Sequence, residues 1–262
     1  MVDYHTHTEL CGHATGTVQE YIESAVAQGI REIGFSDHAP MPEEIREGVT
    51  MSAADMEPYL SGIGSARDRN EGRIEVRTGL EVDYPLMESF DRRLCTDPRL
   101  DYLIGSCHFI DGWPFDHPDY IDGYASRDID DIYGKYFEIL RSLAGSGMFN
   151  IVGHFDIVKK FGFRSGREFR SIIDDIAHIL AANDVAVEVN TAGMAHPAGE
   201  MYPSDRIMAI LYDRNVPVTL GSDAHAPERV GYLFPRALES IARAGYRKIS
   251  GFKKRSRYDI PL

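Results

Sequence analysis

Ten histidines are distributed along this 262-residue chain, and most stand where a short apolar run gives way to a polar turn. The first run leads into His5-Thr6-His7, with His13 in the loop beyond. The second ends Ser36-Asp37-His38, and the third passes through Gly79-Leu80-Glu81-Val82-Asp83. The fourth ends Gly105-Ser106-Cys107-His108, the fifth Gly153-His154-Phe155-Asp156, the sixth at Asn190, and the seventh Gly221-Ser222-Asp223-Ala224-His225. On a strand, residues two apart share a face, so His5 and His7 point the same way. Two imidazoles on one side, completed by carboxylates, form a donor set for zinc, manganese or iron. Any one of these histidines alone reads as a hydrogen-bonded structural residue. Seven at matching positions, joined by Glu81 and Asp223, imply a shared cation site.

Such a site requires elements that bring remote residues together. Strands are predicted at residues 2–5, 32–36, 75–82, 102–107, 151–154, 186–190 and 216–220. Helical patterns fill the gaps. Thr17-Val18-Gln19-Glu20 reads as a capping box with a stop at Gly29, and Ser52-Ala53-Ala54-Asp55 opens a second helix. Asp128 opens a third ahead of 132–143, and 168–182, 204–215 and 228–244 complete the set. Alternating strands and helices predict a parallel sheet, here a single-domain α/β chain over 1–262 folded as a distorted TIM-like (β/α)7 barrel. Barrel strands converge at their C-terminal ends, where active sites sit. The irregular stretch 110–127, rich in aromatics, is predicted to form a lid or wall over the site.

Composition narrows the chemistry. The formal charge of −13 speaks against nucleic acid or anionic membrane as partner, and the N-terminus carries no signal-peptide pattern, as in a cytoplasmic enzyme. Cys11, Cys95 and Cys107 are widely spaced with no CxxC pair, which speaks against a disulfide framework and a thiolate zinc site. An acidic protein that handles a phosphoester needs a local positive source, and bound cations supply one.

These motifs together resemble the PHP (polymerase and histidinol phosphatase) family, from residue 3 to about residue 231. Within it, His108-Phe109-Ile110-Asp111-Gly112-Trp113, and Glu188-Val189-Asn190-Thr191-Ala192-Gly193 followed by Tyr202-Pro203-Ser204, resemble the monofunctional histidinol-phosphate phosphatases. The resemblance implies three divalent or transition metal ions. One would be held by His5, His7, Glu81 and Asp223, a second by Glu81, His108 and His154, and the third by His13, His38 and His225. Against two ligand carboxylates this leaves a charge of about +4. A hydroxide bridging the metals held by His5, His7, Glu81 and Asp223 would attack phosphorus in line, the water pKa having dropped from about 15.7 toward 7. The implied substrate is L-histidinol phosphate. The alternative is another small phosphoester, such as a nucleotide 3′,5′-bisphosphate.

Around that centre, Asp37 and Asp156 are candidates to orient imidazoles, as much as to cap turns. Lys159, Lys160, Arg164 and Arg229 are candidate phosphate contacts, and Asn190 a polar pocket wall. Histidinol phosphatases of this type often carry a basic pair after the Asn-Thr-Ala-Gly segment; here Met194-Ala195-His196-Pro197 stands there, with His196 a partial substitute. Asp83, Asp111 or Asp116 would receive the ammonium or imidazole of the substrate, while His117 and His178 are expected to be non-ligands. An amidohydrolase is disfavoured because the first lysine, Lys135, falls in a helical pattern and cannot bridge metals in mid-barrel. Neither metal identity nor oligomeric state is legible in the sequence.

Overall fold

Strand register builds the molecule around one ring. A computed structural model describes residues 1–46, 48–88 and 90–262. Strands β1 (Val2–Asp3), β2 (Glu32–Phe35) and β3 (Glu75–Thr78) pair in parallel. A second parallel sheet runs in the order β10-β9-β8-β5-β4, from β4 (Glu81–Asp83) and β5 (Ile104–Ser106) through β8 (Ile151–Val152) and β9 (Ala186–Asn190) to β10 (Val218–Gly221). Between β5 and β8 lies a small antiparallel pair, β6 (Phe109–Ile110) and β7 (Trp113–Pro114).

Two seams join the sheets. At one, Tyr4 N donates to Leu220 O (3.1 Å) and Ala224 N to His5 O (3.2 Å). At the other, Gly79 N donates to Phe35 O (2.7 Å) and Glu81 N to Asp37 O (3.1 Å). With β3 and β4 as two halves of one strand, the ring has seven staves, as expected. The expected unbroken strand over 75–82 divides at Gly79-Leu80, because the Tyr102 ring crosses the interior there. A Cβ at Gly79 would lie 2.4 Å from that ring, and one at Gly34 would lie 2.2 Å from its hydroxyl. Only glycine leaves room for the tyrosine.

Helices α1 (Val18–Ala27), α2 (Glu43–Arg46), α3 (Met56–Arg69), α4 (Ile129–Gly145), α5 (Arg170–Ala182), α6 (Asp205–Asp213) and α7 (Phe234–Ala244) follow the strands. Both capping boxes form as read, and Asp128 caps α4 by accepting from the backbone N–H groups of Asp130 and Asp131. The helix expected over 228–244 begins only at Phe234. Gly231 (φ +66°) and Leu233 (φ +54°) interrupt it, and Gly231 N donates to the buried Asp3 carboxylate (3.0 Å).

A C-terminal hairpin, β11 (Lys248–Lys253) and β12 (Ser256–Pro261), was not foreseen. Its two-residue turn uses Lys254 (φ +49°) and Arg255 (φ +65°) where Asn-Gly would have given the signal. Tertiary bonds hold this turn: Arg255 donates to the carbonyls of Cys95 (3.0 Å) and Met148 (2.6 Å), and Lys254 N to Asp101 (3.0 Å). The hairpin touches the starts of the barrel strands, including Glu32, Asp101, Asn150 and Thr219, and so seals the N-terminal end. Phe252, fully buried against Tyr4 and Tyr102, is its plug. Phe252→Ala is expected to cost about 3–5 kcal/mol, read as a lower urea midpoint; a loss under about 1 kcal/mol would show that the plug is dispensable.

Candidate metal centre

With the N-terminal end sealed, the opposite ends of the strands carry the histidines. Glu81, at the start of β4 and 1% exposed, is the hub. Its Oε1 lies 2.9 Å from His154 Nε2 and 3.5 Å from His108 Nε2. Its Oε2 lies 3.1 Å from His38 Nδ1, 3.3 Å from His5 Nε2 and 3.6 Å from His7 Nε2. Asp223 Oδ1 approaches His7 Nε2 (3.3 Å), His5 Nε2 (3.6 Å) and His225 Nδ1 (3.7 Å). At the rim, the His13 ring centroid is 4.7 Å from that of His225 and 5.8 Å from that of His38. All nine sequence-derived ligand candidates therefore meet at one place.

The backbone is bent to achieve this. Asp223 sits at φ +55° and His154 at φ +21°, conformations that L residues adopt only when surroundings enforce them. Ring orientation is fixed from behind. His108 Nδ1 donates to Asp83 Oδ2 (3.0 Å) while its backbone N–H donates to Asp83 Oδ1 (3.0 Å). His13 Nδ1 donates to Cys11 O and His225 Nδ1 to Asp223 O, both at 3.0 Å. Anchoring one ring nitrogen leaves the other free to ligate.

The residues fit divalent cations on their own evidence. His5 Nε2, both nitrogens of His7 and His38 Nδ1 are buried with no hydrogen-bond partner, although buried polar groups are ordinarily satisfied. Donor groups such as His5–His7–Glu81, His5–His154–Asp223 and His7–His38–His225 lie within 4.8 Å. Burial opposes ionisation of Glu81, but the imidazoles of His5, His38 and His108 hold it well below the usual carboxylate range. Asp223 is likewise held low against burial, chiefly by His5. Burial pushes His7 down to about 3. Cys11, set aside by its spacing, places its sulfur within 4.8 Å of donors on His13 and His225. Burial pushes that thiol up to about 11, so at neutral pH it is not a thiolate.

Other expectations distribute differently. Asp37 accepts from Thr8 N (2.7 Å) and is pushed up to about 7 by burial; no imidazole bonds to it among the described residues. Asp156 holds Lys159 (2.8 Å) and Ser204 N (3.1 Å) in place of a histidine. Lys159 is thereby buried and does not line the cavity over the cluster, and Arg164 turns to Glu200 (2.6 Å) and Ala198 O (3.1 Å). Arg229 stacks 3.5 Å over the Tyr232 ring. Asn190 does not form a wall; its side chain donates to Glu188 (3.0 Å) and Asp223 Oδ2 (3.3 Å). Asp83 is tied up by His108, and Asp111 pairs with Lys135 outside the pocket. Lys160, Asp116 and His196 do line the cavity over the cluster, about 720 Å³ in volume. His117 caps the 3₁₀ turn Pro118–Ser126 and faces the same cavity, while His178 is exposed on α5. The 110–127 stretch forms a wall, ordered by Trp113 against Tyr124 (4.8 Å) and Arg127 (4.3 Å).

Sequence reasoning missed Glu188, which accepts from His5 Nδ1 at 2.6 Å. The available signal was its place two residues before Asn190, on the same strand face.

A seven-stave α/β barrel with imidazoles and carboxylates gathered at its C-terminal end defines a metal-dependent hydrolase class. Residues 3–192 match the PHP domain, and the chain belongs to that family. It is 35% identical to a probable histidinol-phosphatase of Deinococcus radiodurans, over 95% of this chain and 96% of that one. It is 28% identical to the histidinol-phosphatase of Bacillus subtilis, over 90% and 98%. The solved histidinol phosphate phosphatase of Lactococcus lactis, complexed with zinc, L-histidinol and phosphate, superposes with a TM-score of 0.83 at 21% identity, covering 98% of both chains. Among the described residues, no helix is long and apolar enough to cross a membrane.

Proposed function

We infer that this chain is a histidinol-phosphate phosphatase, releasing L-histidinol and phosphate from L-histidinol phosphate. The observation that carries this reading is the convergence of five imidazoles on the single carboxylate of Glu81, in a chain whose relatives along its whole length bear that activity in their names. His5, His7, Glu81 and Asp223 would hold one cation, Glu81, His108 and His154 a second, and His13, His38 and His225 a third. Zinc fits this nitrogen–oxygen donor set, as do manganese and iron. Such cations, when bound, supply the positive charge and the acidified water that phosphoryl transfer needs.

The protein's own groups do the rest. Asp83 and the carbonyls of Cys11 and Asp223 fix ring orientation. Lys160, held 3.3 Å from Asp116 at the cavity wall, would offer its ammonium to a phosphoryl oxygen of the substrate, with Asp116 restraining it. Asp116 is held low by Lys160 against the effect of burial. His196 stands on the same wall, where burial and then Lys160 lower its basicity, and would offer a hydrogen bond to substrate.

Phosphate release from a panel of phosphomonoesters tests the reading. L-Histidinol phosphate should exceed 4-nitrophenyl phosphate and nucleotide bisphosphates in kcat/KM by orders of magnitude; equal rates across the panel would refute the assignment. Lys160→Met should lower kcat/KM by about 10–100-fold, the worth of one charge-assisted hydrogen bond, and this should appear in steady-state kinetics at unchanged metal content.

A further inference from the structure

The candidate ligands His5, His154 and Asp223 stand at the ends of three staves, and one buried side chain links them, His5 and His154 directly and Asp223 through Asn190. Glu188 lies on β9, between β8 and β10, and is 1% exposed. Its Oε1 accepts from His5 Nδ1 at 2.6 Å. Its Oε2 accepts from the His154 backbone N–H at 2.8 Å and from Asn190 Nδ2 at 3.0 Å. Asn190 in turn donates to Asp223 Oδ2 at 3.3 Å. The three partners of Glu188, His5 Nδ1, His154 N and Asn190 Nδ2, all act as donors. The space is reserved for it: a Cβ at Gly221, which pairs with Asn190 in the β9–β10 ladder, would lie 1.8 Å from Glu188 Oε1 and 2.7 Å from His5 Cβ.

We propose that Glu188 is a positioning residue that turns His5 Nε2 toward the cation site and sets the spacing of His5, His154 and Asp223 through one charged brace. The proposal rests on the ligand assignment above. A carboxylate is required because an amide of the same shape has only one acceptor oxygen. Glutamine must turn its NH₂ either toward His5 Nδ1–H or toward the His154 and Asn190 donors, and each choice sets donor against donor. A ligating histidine whose rear partner is lost binds its metal about 10–100-fold more weakly.

The test compares wild type with Glu188→Gln and Glu188→Asp as full-length protein. Zinc affinity is read by competition with a chromophoric chelator, the apo fold by circular dichroism, and the His5 Nδ1–H by proton NMR with ¹⁵N-histidine labelling. We expect Glu188→Gln to weaken zinc binding about 10–100-fold, to lose the low-field Nδ1–H resonance, and to lower kcat at saturating zinc. Glu188→Asp keeps the charge but shortens the reach, and should fall between. Zinc affinity within about threefold of wild type, with the low-field proton retained, overturns the proposal. If Glu188→Gln does not fold, unchanged affinity in Glu188→Asp overturns it equally. A wild type that takes up no zinc, manganese or iron removes the ligand assignment, and this inference with it.

Discussion

Glu81→Gln is expected to lower kcat/KM by about 10³-fold or more, with loss of bound metal, while the barrel remains folded. The argument lies in the two oxygens. Oε1 faces His154 and His108 and accepts from Ser106 Oγ (2.6 Å), and Oε2 faces His38, His5 and His7. An amide keeps one acceptor and turns two hydrogens into a space already crowded with ring nitrogens. It also removes the charge that, in the proposed ligand assignment, two cations would share. The fold should survive because the backbone of Glu81 keeps its bonds: its N–H donates to Asp37 O (3.1 Å) and its carbonyl accepts from Ala39 N (2.7 Å). Steady-state turnover, elemental analysis and circular dichroism of the variant decide the matter. A variant that retains more than about a tenth of wild-type activity with its metal content intact would show that Glu81 is not shared between cations.

What the sequence revealed of this centre, and what it hid, follow from one physical distinction. Strand-end histidines are legible because barrel topology gathers strand ends whatever the loops do, so His5, His108 and His225 could be placed together from their positions alone. Side chains leaving loops have no such constraint. Arg164 and Arg229 sit near the right strands in sequence, yet one turns to Glu200 and the other to Tyr232. Anchors behind the ligands were hidden for a related reason. Asp83 and Glu188 look like ordinary strand acids until the ring each one holds is known, and those rings belong to other staves. The C-terminal hairpin was concealed by its turn, since Lys254 and Arg255 accept positive φ only because Asp101, Cys95 and Met148 hold them there.

Stripping the protein with a strong chelator is expected to cost nearly all turnover, about 10⁴-fold or more, and to lower the melting temperature by about 8–15 °C. Both effects come from the same arrangement. Among the described residues, Lys160 is a cavity-lining cation, and its ammonium is shared with Asp116, so a dianionic phosphoester has little to meet once the site is emptied. The stability term is linkage: a cation held at about a thousand times its dissociation constant contributes about 4 kcal/mol to the folded state. In a chain of this size about 4 kcal/mol corresponds to about 8–15 °C, the effect of one such site that the unfolded protein cannot match. The stripped site also keeps Glu81, Asp83 and Glu188 buried, and a buried charge that loses a partner costs stability. Adding zinc or manganese back should restore both activity and melting temperature, with magnesium, which prefers oxygen ligands and keeps its waters, doing so poorly. Full turnover after exhaustive chelation, with elemental analysis confirming the loss, would leave this cluster without the chemistry assigned to it.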